Sequence, residues 1–226
     1  MTASTTTPAS ELLGAFARIG SATVHEAQGG TGAFDSGIKP LDPEMRVAGP
    51  ALTVDSRPGD NLALHYAVTV ARPGDVLVVD AKAFVEAGPW GDVLTTYAQH
   101  VGIAGLVIDG AVRDTRDIVR LGFPVFTRGV SIKGTEKRQP GAVNRPIHCG
   151  GVLVHPGDLV VGDADGVVVV PAADVERVRL LAKEREEKEA AFRAAIRDGK
   201  SLVQLMDLGD RLTELGYRHR NPAAEG

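Results

Sequence analysis

Residues 89–117 read PWGDVLTTYAQHVGIAGLVIDGAVRDTRD, and the change of period inside this stretch decides the fold class. From Asp92 to Val101 the apolar residues Val93, Leu94, Tyr97 and Val101 recur at helical spacing, which predicts an amphipathic helix. Gly105 to Asp109 (GLVID) is a short apolar strand, and another helix is expected from Thr115 to Leu121. Helix, strand and helix in so short a stretch point to an α/β layer. The strand returns the chain past the helix it has just left. Gly91-Asp92 at one helix start and Arg113-Asp114 at the next can therefore share a cleft.

The 226 residues are 43% hydrophobic, enough for one compact core with a helical tail, drawn here as residues 1–171 and 172–226. The net charge of −4 comes without a long basic run, so nucleic acid is not the expected partner, and an anionic substrate needs a local basic site. A single cysteine, Cys149, excludes an internal disulfide and a cysteine-rich zinc site and suits a reducing cytoplasm. No apolar stretch is long enough to cross a membrane, and MTASTTTPAS lacks an export signal. The expectation is a cytoplasmic protein without a membrane partner.

Upstream of that stretch, residues 1–8 are Thr-rich and expected to fray, and Leu12, Leu13, Phe16 and Ile19 mark a first helix from Ala9 to Ile19. VHEAQGG is a helical turn stopped by Gly29-Gly30. Its His25 reads more readily as a packed or surface histidine than as a catalytic one. RVAGPALTV (46–54) is a strand broken by Gly49-Pro50, and Asp60 to Val70 a helix with Leu62, Leu64, Ala67, Val68 and Val70 mostly inward. Pro73-Gly-Asp75 and Pro156-Gly-Asp158 are matching turns, each ahead of a strand. Their aspartates read as acceptors for turn amides, and the pair predicts partly antiparallel pairing.

Downstream, the loop after FPVFTRGV holds Lys133, Lys137, Arg138, Arg145 and His148. It is either a solvated basic loop or a rim that attracts a polyanion. A long helix is expected from Ala172 to Gly199 with a charged middle, KEREEKE, and then a capping box, Ser201 with Gln204, starting a final helix LVQLMDLGDRL.

Asp92 and Asp114 each have a plain structural explanation. An acid in a first helical turn offsets the helix dipole, and Asp114, with Asp117 three residues on, resembles an N-cap. Arg113 has no such explanation, and its planar fork suits the oxygens of a keto acid. Together the three make a metal and anion site, with the open amides of Gly91, Asp92, Val93 and Leu94 available to a carboxylate.

Asp92, twenty residues, then Arg113-Asp114 resembles the signature of the divalent-metal-dependent 4-hydroxy-4-methyl-2-oxoglutarate / 4-carboxy-4-hydroxy-2-oxoadipate aldolases, which share a fold with the regulator of ribonuclease E activity A. The likeness runs from about Ala22 to Gly199, through DNLALH (60–65), PGDVLVVD (73–80), GLVIDGAVRD (105–114), LGFPVF (121–126) and GGVLVHPGDLVVGDADGVVVVP (150–171). ATVHEAQG (22–29) looks like the carboxy-hydroxy-oxoadipate branch. The resemblance implies a swivelling β/β/α fold, α/β with mixed sheets and a C-terminal helical extension, assembled as a homotrimer or a dimer of trimers. It implies Mg²⁺ or Mn²⁺ held by Asp114, with Asp92 holding metal-bound waters. It also implies substrate contacts from Gly91 to Leu94 and from Arg113, retro-aldol cleavage to pyruvate, and oxaloacetate decarboxylation as a side activity. The resemblance further implies that a glutamate from a neighbouring subunit's C-terminal helix assists the base. Glu186, Glu187 and Glu189 are the candidates, and Glu189 is carried forward. Arg145 or Lys137 is expected to pair with the extra carboxylate of the larger substrate. The competing reading is a non-catalytic regulator of a ribonuclease, a branch that typically lacks the acid after the arginine. A methyltransferase has no GxGxG loop here to hold a nucleoside cofactor.

Overall fold

The computed structural model describes residues 9–16 and 18–217. The expected fraying of residues 1–8 lies outside the described residues, as does the packing of Leu12. In chain order the elements are α1 (Ala9–Phe16), α2 (Ser21–Ala27), β1 (Lys39–Pro40), β2 (Val47–Asp55), α3 (Leu62–Val70), β3 (Val76–Phe84), α4 (Asp92–His100), β4 (Gly105–Val112), α5 (Thr115–Leu121) and β5 (Val125–Val130). There follow β6 (Ala142–Val143), β7 (Ile147–Cys149), β8 (Val152–Val154), β9 (Leu159–Asp163), β10 (Gly166–Val170), a 3₁₀ turn Ala172–Asp174, α6 (Val175–Arg197), α7 (Leu202–Leu205) and α8 (Gly209–Glu214).

This is a mixed α/β fold. The main sheet runs β1-β5-β4-β3-β2-β9-β10, with β6 also on β2 and a separate β7-β8 pair. Strands β2 to β5 are mutually parallel, while β9 and β10 are antiparallel additions. Alternation along β3 explains the layers. Leu77 and Val79 pack with Leu64 of α3, Leu94 and Ala98 of α4 and Ile118 of α5. Val76 and Val78 face the other way, onto Phe34, Ile38, Ile147, Cys149 and Val154. Helices thus cover one face of the parallel strands and the β7-β8 pair the other. A third cluster joins β9 and β10 to Phe16, Val24 and the start of α6.

Several expectations need correction. Strand β2 does not break at Gly49-Pro50. Val47 to Pro50 pair with β9 and Ala51 to Asp55 with β3, so the proline, which has no N–H to offer, sits where the strand changes partner. Gly49 is needed there because a Cβ would lie 2.4 Å from the Gly74 carbonyl oxygen. Helix α4 buries Leu94, Thr95 and Ala98, while Val93 and Tyr97 are exposed. In α3 the expected Leu64, Ala67 and Val68 are buried, together with Ala63, and only Leu62 and Val70 of the expected set are exposed. The first helix ends at Phe16, and the last is two short ones, α7 and α8, interrupted at Asp207 with φ 51°.

The capping box of Ser201 and Gln204 is present. The Pro-Gly-Asp aspartates bond turn amides, Asp75 that of Arg72 (2.8 Å) and Asp158 that of His155 (2.8 Å). Only the second turn leads into antiparallel pairing. The chain forms two compact units meeting between Ala182 and Lys183, within α6 rather than at residue 171, because Val178 and Ala182 are buried with the first unit. Among the described residues no helix is long and apolar enough to cross a membrane.

Candidate active site

The carboxyl ends of β3 and β4 open onto a cavity of about 290 Å³ whose wall includes Asn61, His65, Gly91, Val93, Arg113 and Lys137. Ligand sites of open α/β sheets form outside strand ends of this kind. The sheet itself assembles the site. Trp90 bridges Val112 at the end of β4, and the Arg113 amide donates to the Trp90 carbonyl (2.9 Å). Trp90 is fully buried and stacked on Phe123, with Nε1 donating to Thr95 Oγ1 (2.8 Å), which in turn donates to the Gly91 carbonyl (2.9 Å). The start of α4 is thereby locked beside the start of α5.

Asp92, Arg113 and Asp114 do converge. Asp114 Oδ2 accepts from the Asp92 amide (3.3 Å) and pairs with Arg113 Nε (3.3 Å). A Cβ on Gly91 would stand 2.3 Å from that same Oδ2, so any larger residue there would push the Asp114 carboxylate out of this position. Asp114 occupies the N-cap position of α5, but its side chain makes no capping bond, and its backbone is left-handed at φ 54°, ψ 35°. The sequence resemblance to an N-cap is therefore overturned. A conformation that disfavours a Cβ by roughly 1 kcal/mol or more is kept while the carboxylate is directed to the Asp92 amide and Arg113, beside the cavity that Gly91 and Arg113 line. Of the four amides expected to take a substrate carboxylate, those of Asp92 and Val93 already have carboxylate partners, Asp114 Oδ2 and Asp92 Oδ1 (2.8 Å). Both carboxylates sit at the positive end of α4.

Among the described residues no group of three or more His, Cys, Asp or Glu side chains is placed to hold a metal. The donor set fits a hard divalent cation that keeps much of its water shell, since such ions use one or two carboxylates, and Asp114 and Asp92 are adjacent at an exposed cleft.

Sequence reasoning gave no role to Asn61 and His65, although both lie in the DNLALH block, four residues apart on the face of α3 turned to the cavity. Asn61 donates Nδ2 to the Pro89 carbonyl (2.9 Å), and its buried Oδ1 has no protein partner. Burial, then the charge of Lys137, holds the His65 imidazole below its ordinary range, so it is neutral near pH 7. Of the basic loop, Lys137 reaches the cavity wall, whereas Arg145 is exposed elsewhere and does not line it. Glu189 lies in the second unit, paired with Arg185 and Arg193 of its own helix. His25 bonds the Thr31 carbonyl (2.9 Å), away from the site. Burial, reinforced by Asp109 and Asp80, pushes the Cys149 thiol far up, so it stays protonated and unreactive.

Residues 21–169 match the RraA-like family model described as Aldolase/RraA. The chain belongs to this family. It is 43% identical over 189 residues, 84% of this chain and 90% of the other, to a Halalkalibacterium halodurans protein that carries the provisional name 4-hydroxy-4-methyl-2-oxoglutarate aldolase. An uncharacterised Pseudomonas syringae pv. tomato protein superposes with a TM-score of 0.81 at 31% identity, covering 91% of this chain and 97% of its own. Streptomyces coelicolor RraAS2, described as an unusual member of the RNase ES inhibitor RraA family, superposes with a TM-score of 0.74 at 35% identity, covering 84% and 100%. The family and the fold of this aldolase/RraA chain follow from these likenesses.

Proposed function

We propose that the protein is a divalent-metal-dependent aldolase that cleaves 4-carboxy-4-hydroxy-2-oxoadipate, and 4-hydroxy-4-methyl-2-oxoglutarate, to pyruvate plus oxaloacetate or a second pyruvate, in the catabolism of aromatic compounds. One observation carries the reading: Asp92, Arg113 and Asp114 come together around Gly91, against which the Asp114 carboxylate is packed. Asp114, with Asp92 beside it, would hold Mg²⁺ or Mn²⁺, which would supply Lewis-acid stabilisation of the oxygen that becomes negative as the bond breaks. Arg113 orients the keto acid and donates to its C2 oxygen. The C4 hydroxyl gives its proton to a general base, its oxygen becomes the new carbonyl, and the C3–C4 electron pair passes into the pyruvate enolate, whose charge Arg113 also faces; a proton returned to C3 completes pyruvate. Oxaloacetate loses CO₂ through the same enolate. The base is assisted by a glutamate from the C-terminal helix of a neighbouring copy, Glu189 or its neighbours Glu186 and Glu187, which makes the active form a homotrimer or a dimer of trimers.

The likeness to the Streptomyces coelicolor protein favours a second reading, a non-catalytic regulator that binds a ribonuclease. Asp114 counts against it, because that branch typically lacks the acid. The deciding experiment is pyruvate formation from 4-carboxy-4-hydroxy-2-oxoadipate with Mg²⁺, and again after chelation. Turnover that chelation abolishes is expected; ribonuclease capture with no pyruvate released reverses the assignment.

A further inference from the structure

Asp60 takes no part in the chemistry above, yet it is 2% exposed and holds three backbone amides. Oδ1 accepts from Leu62 (2.9 Å), and Oδ2 from Arg138 (2.7 Å) and Gln139 (3.0 Å). The backbone adds a second tie on the near side of Lys137: the Asn61 amide donates to the Glu136 carbonyl (3.0 Å) and the Glu136 amide to that of Gly59 (2.9 Å). Lys137 is therefore pinned at 136 by backbone pairing and at 138 and 139 by one carboxylate. Farther back, the Gly88 amide donates to the Lys133 carbonyl (3.0 Å). Burial would raise the Asp60 carboxyl, but the amides of Arg138, Leu62 and Gln139 and the charge of Lys137 hold it below its ordinary value, so the clamp is anionic at neutral pH. Within GTEKRQPG, a polar stretch between two glycines, the exposed Arg138–Glu136 ion pair and Pro140 add only local restraint, so these ties to Asp60 and its neighbours set the loop against the cavity.

We propose that Asp60 is a positioning residue for substrate choice: it holds the 133–139 loop so that Lys137 stands in the cavity wall, ready to pair with the carboxylate that 4-carboxy-4-hydroxy-2-oxoadipate has and oxaloacetate lacks. A lysine on a fixed backbone loses less freedom on pairing than one on a loose loop, so the gain falls on binding of the larger anion. This rests on the aldolase reading. The test is steady-state kinetics with both substrates for the wild type, Asp60→Asn, Lys137→Met and the double variant.

Asp60→Asn keeps the shape but loses the charge and one amide acceptor. It should raise KM for the larger substrate about tenfold, leave its kcat within about twofold, and spare oxaloacetate decarboxylation. In the Lys137→Met background it should add nothing further, because both changes remove one interaction. Equal losses on both substrates, or additive effects in the double variant, overturn the clamp and leave the aldolase reading standing. A wild type that releases no pyruvate overturns the aldolase reading and the clamp with it. Should Asp60→Asn not fold, Lys137→Met decides alone, and an unchanged KM for the larger substrate refutes the proposal.

Discussion

Asp114 is the residue at which structure and chemistry pull apart. A capping aspartate bonds an amide of its own helix and keeps extended dihedrals; this one is left-handed and directs its carboxylate to Asp92 and Arg113. Asparagine tolerates left-handed backbone as well as aspartate does, so Asp114→Asn should leave the melting temperature within about two degrees. Without the charge, Mg²⁺ or Mn²⁺ binding should weaken and turnover fall by two orders of magnitude or more, on the order expected for a metal ligand. Calorimetric metal titration beside kinetics reads both; near-normal metal-dependent turnover in this variant would sink the assignment. Arg113→Lys is the companion, keeping charge but losing the fork, so kcat should drop while metal still binds.

At the level of elements, the site is made by the bridge of Trp90 to Val112, which sets two helix starts side by side. The second unit poses a different question. Leu202, Met206, Leu215 and Tyr217 are all more than half exposed on or beside its short helices, a concentration of apolar surface that a second copy of the chain would cover. For the proposed trimer or dimer of trimers, sedimentation should give three or six times the 23.7 kDa chain, and Leu202→Asp with Met206→Asp should lower both the mass and the activity. A monomer with full activity would remove the neighbour's glutamate from the mechanism.

For the whole molecule, the shifted groups set a pH window of stability. His65 is lowered from 6.5, so below that value the unfolded chain binds a proton that the folded one resists, and stability falls as pH drops. Asp60 and Asp163 are held below 3.8; their contribution is present above that value and lost as pH falls through the lower folded values. At the other end the Cys149 thiol is raised from 9.0, and above that pH the unfolded chain loses a proton that the folded one keeps. Thermal melts across pH should therefore rise from acid to about pH 7, stay level to about pH 9 and decline beyond. His65→Gln should flatten the limb between about pH 5 and 7. An unchanged limb would mean that the imidazole is not shifted in the folded protein.

The sequence by itself determined the α/β class, the helix–strand–helix order of residues 89–117, the structural part of the Pro-Gly-Asp turns and the grouping of Asp92, Arg113 and Asp114. Each of these follows from local period, turn chemistry or short spacing. Only the tertiary structure decided that β2 passes through Pro50, because that depends on β9, a strand more than a hundred residues away that takes over the pairing. It also decided which faces of α3 and α4 are inward, since the sheet, not the helix, selects among the apolar residues on offer. Asn61 and His65 carry no motif that periodicity can read, and Asp60 looks like an ordinary helix-start acid. Their place in the site comes from contacts with Pro89, Lys137, Arg138 and Gln139, long-range partners that no local pattern encodes.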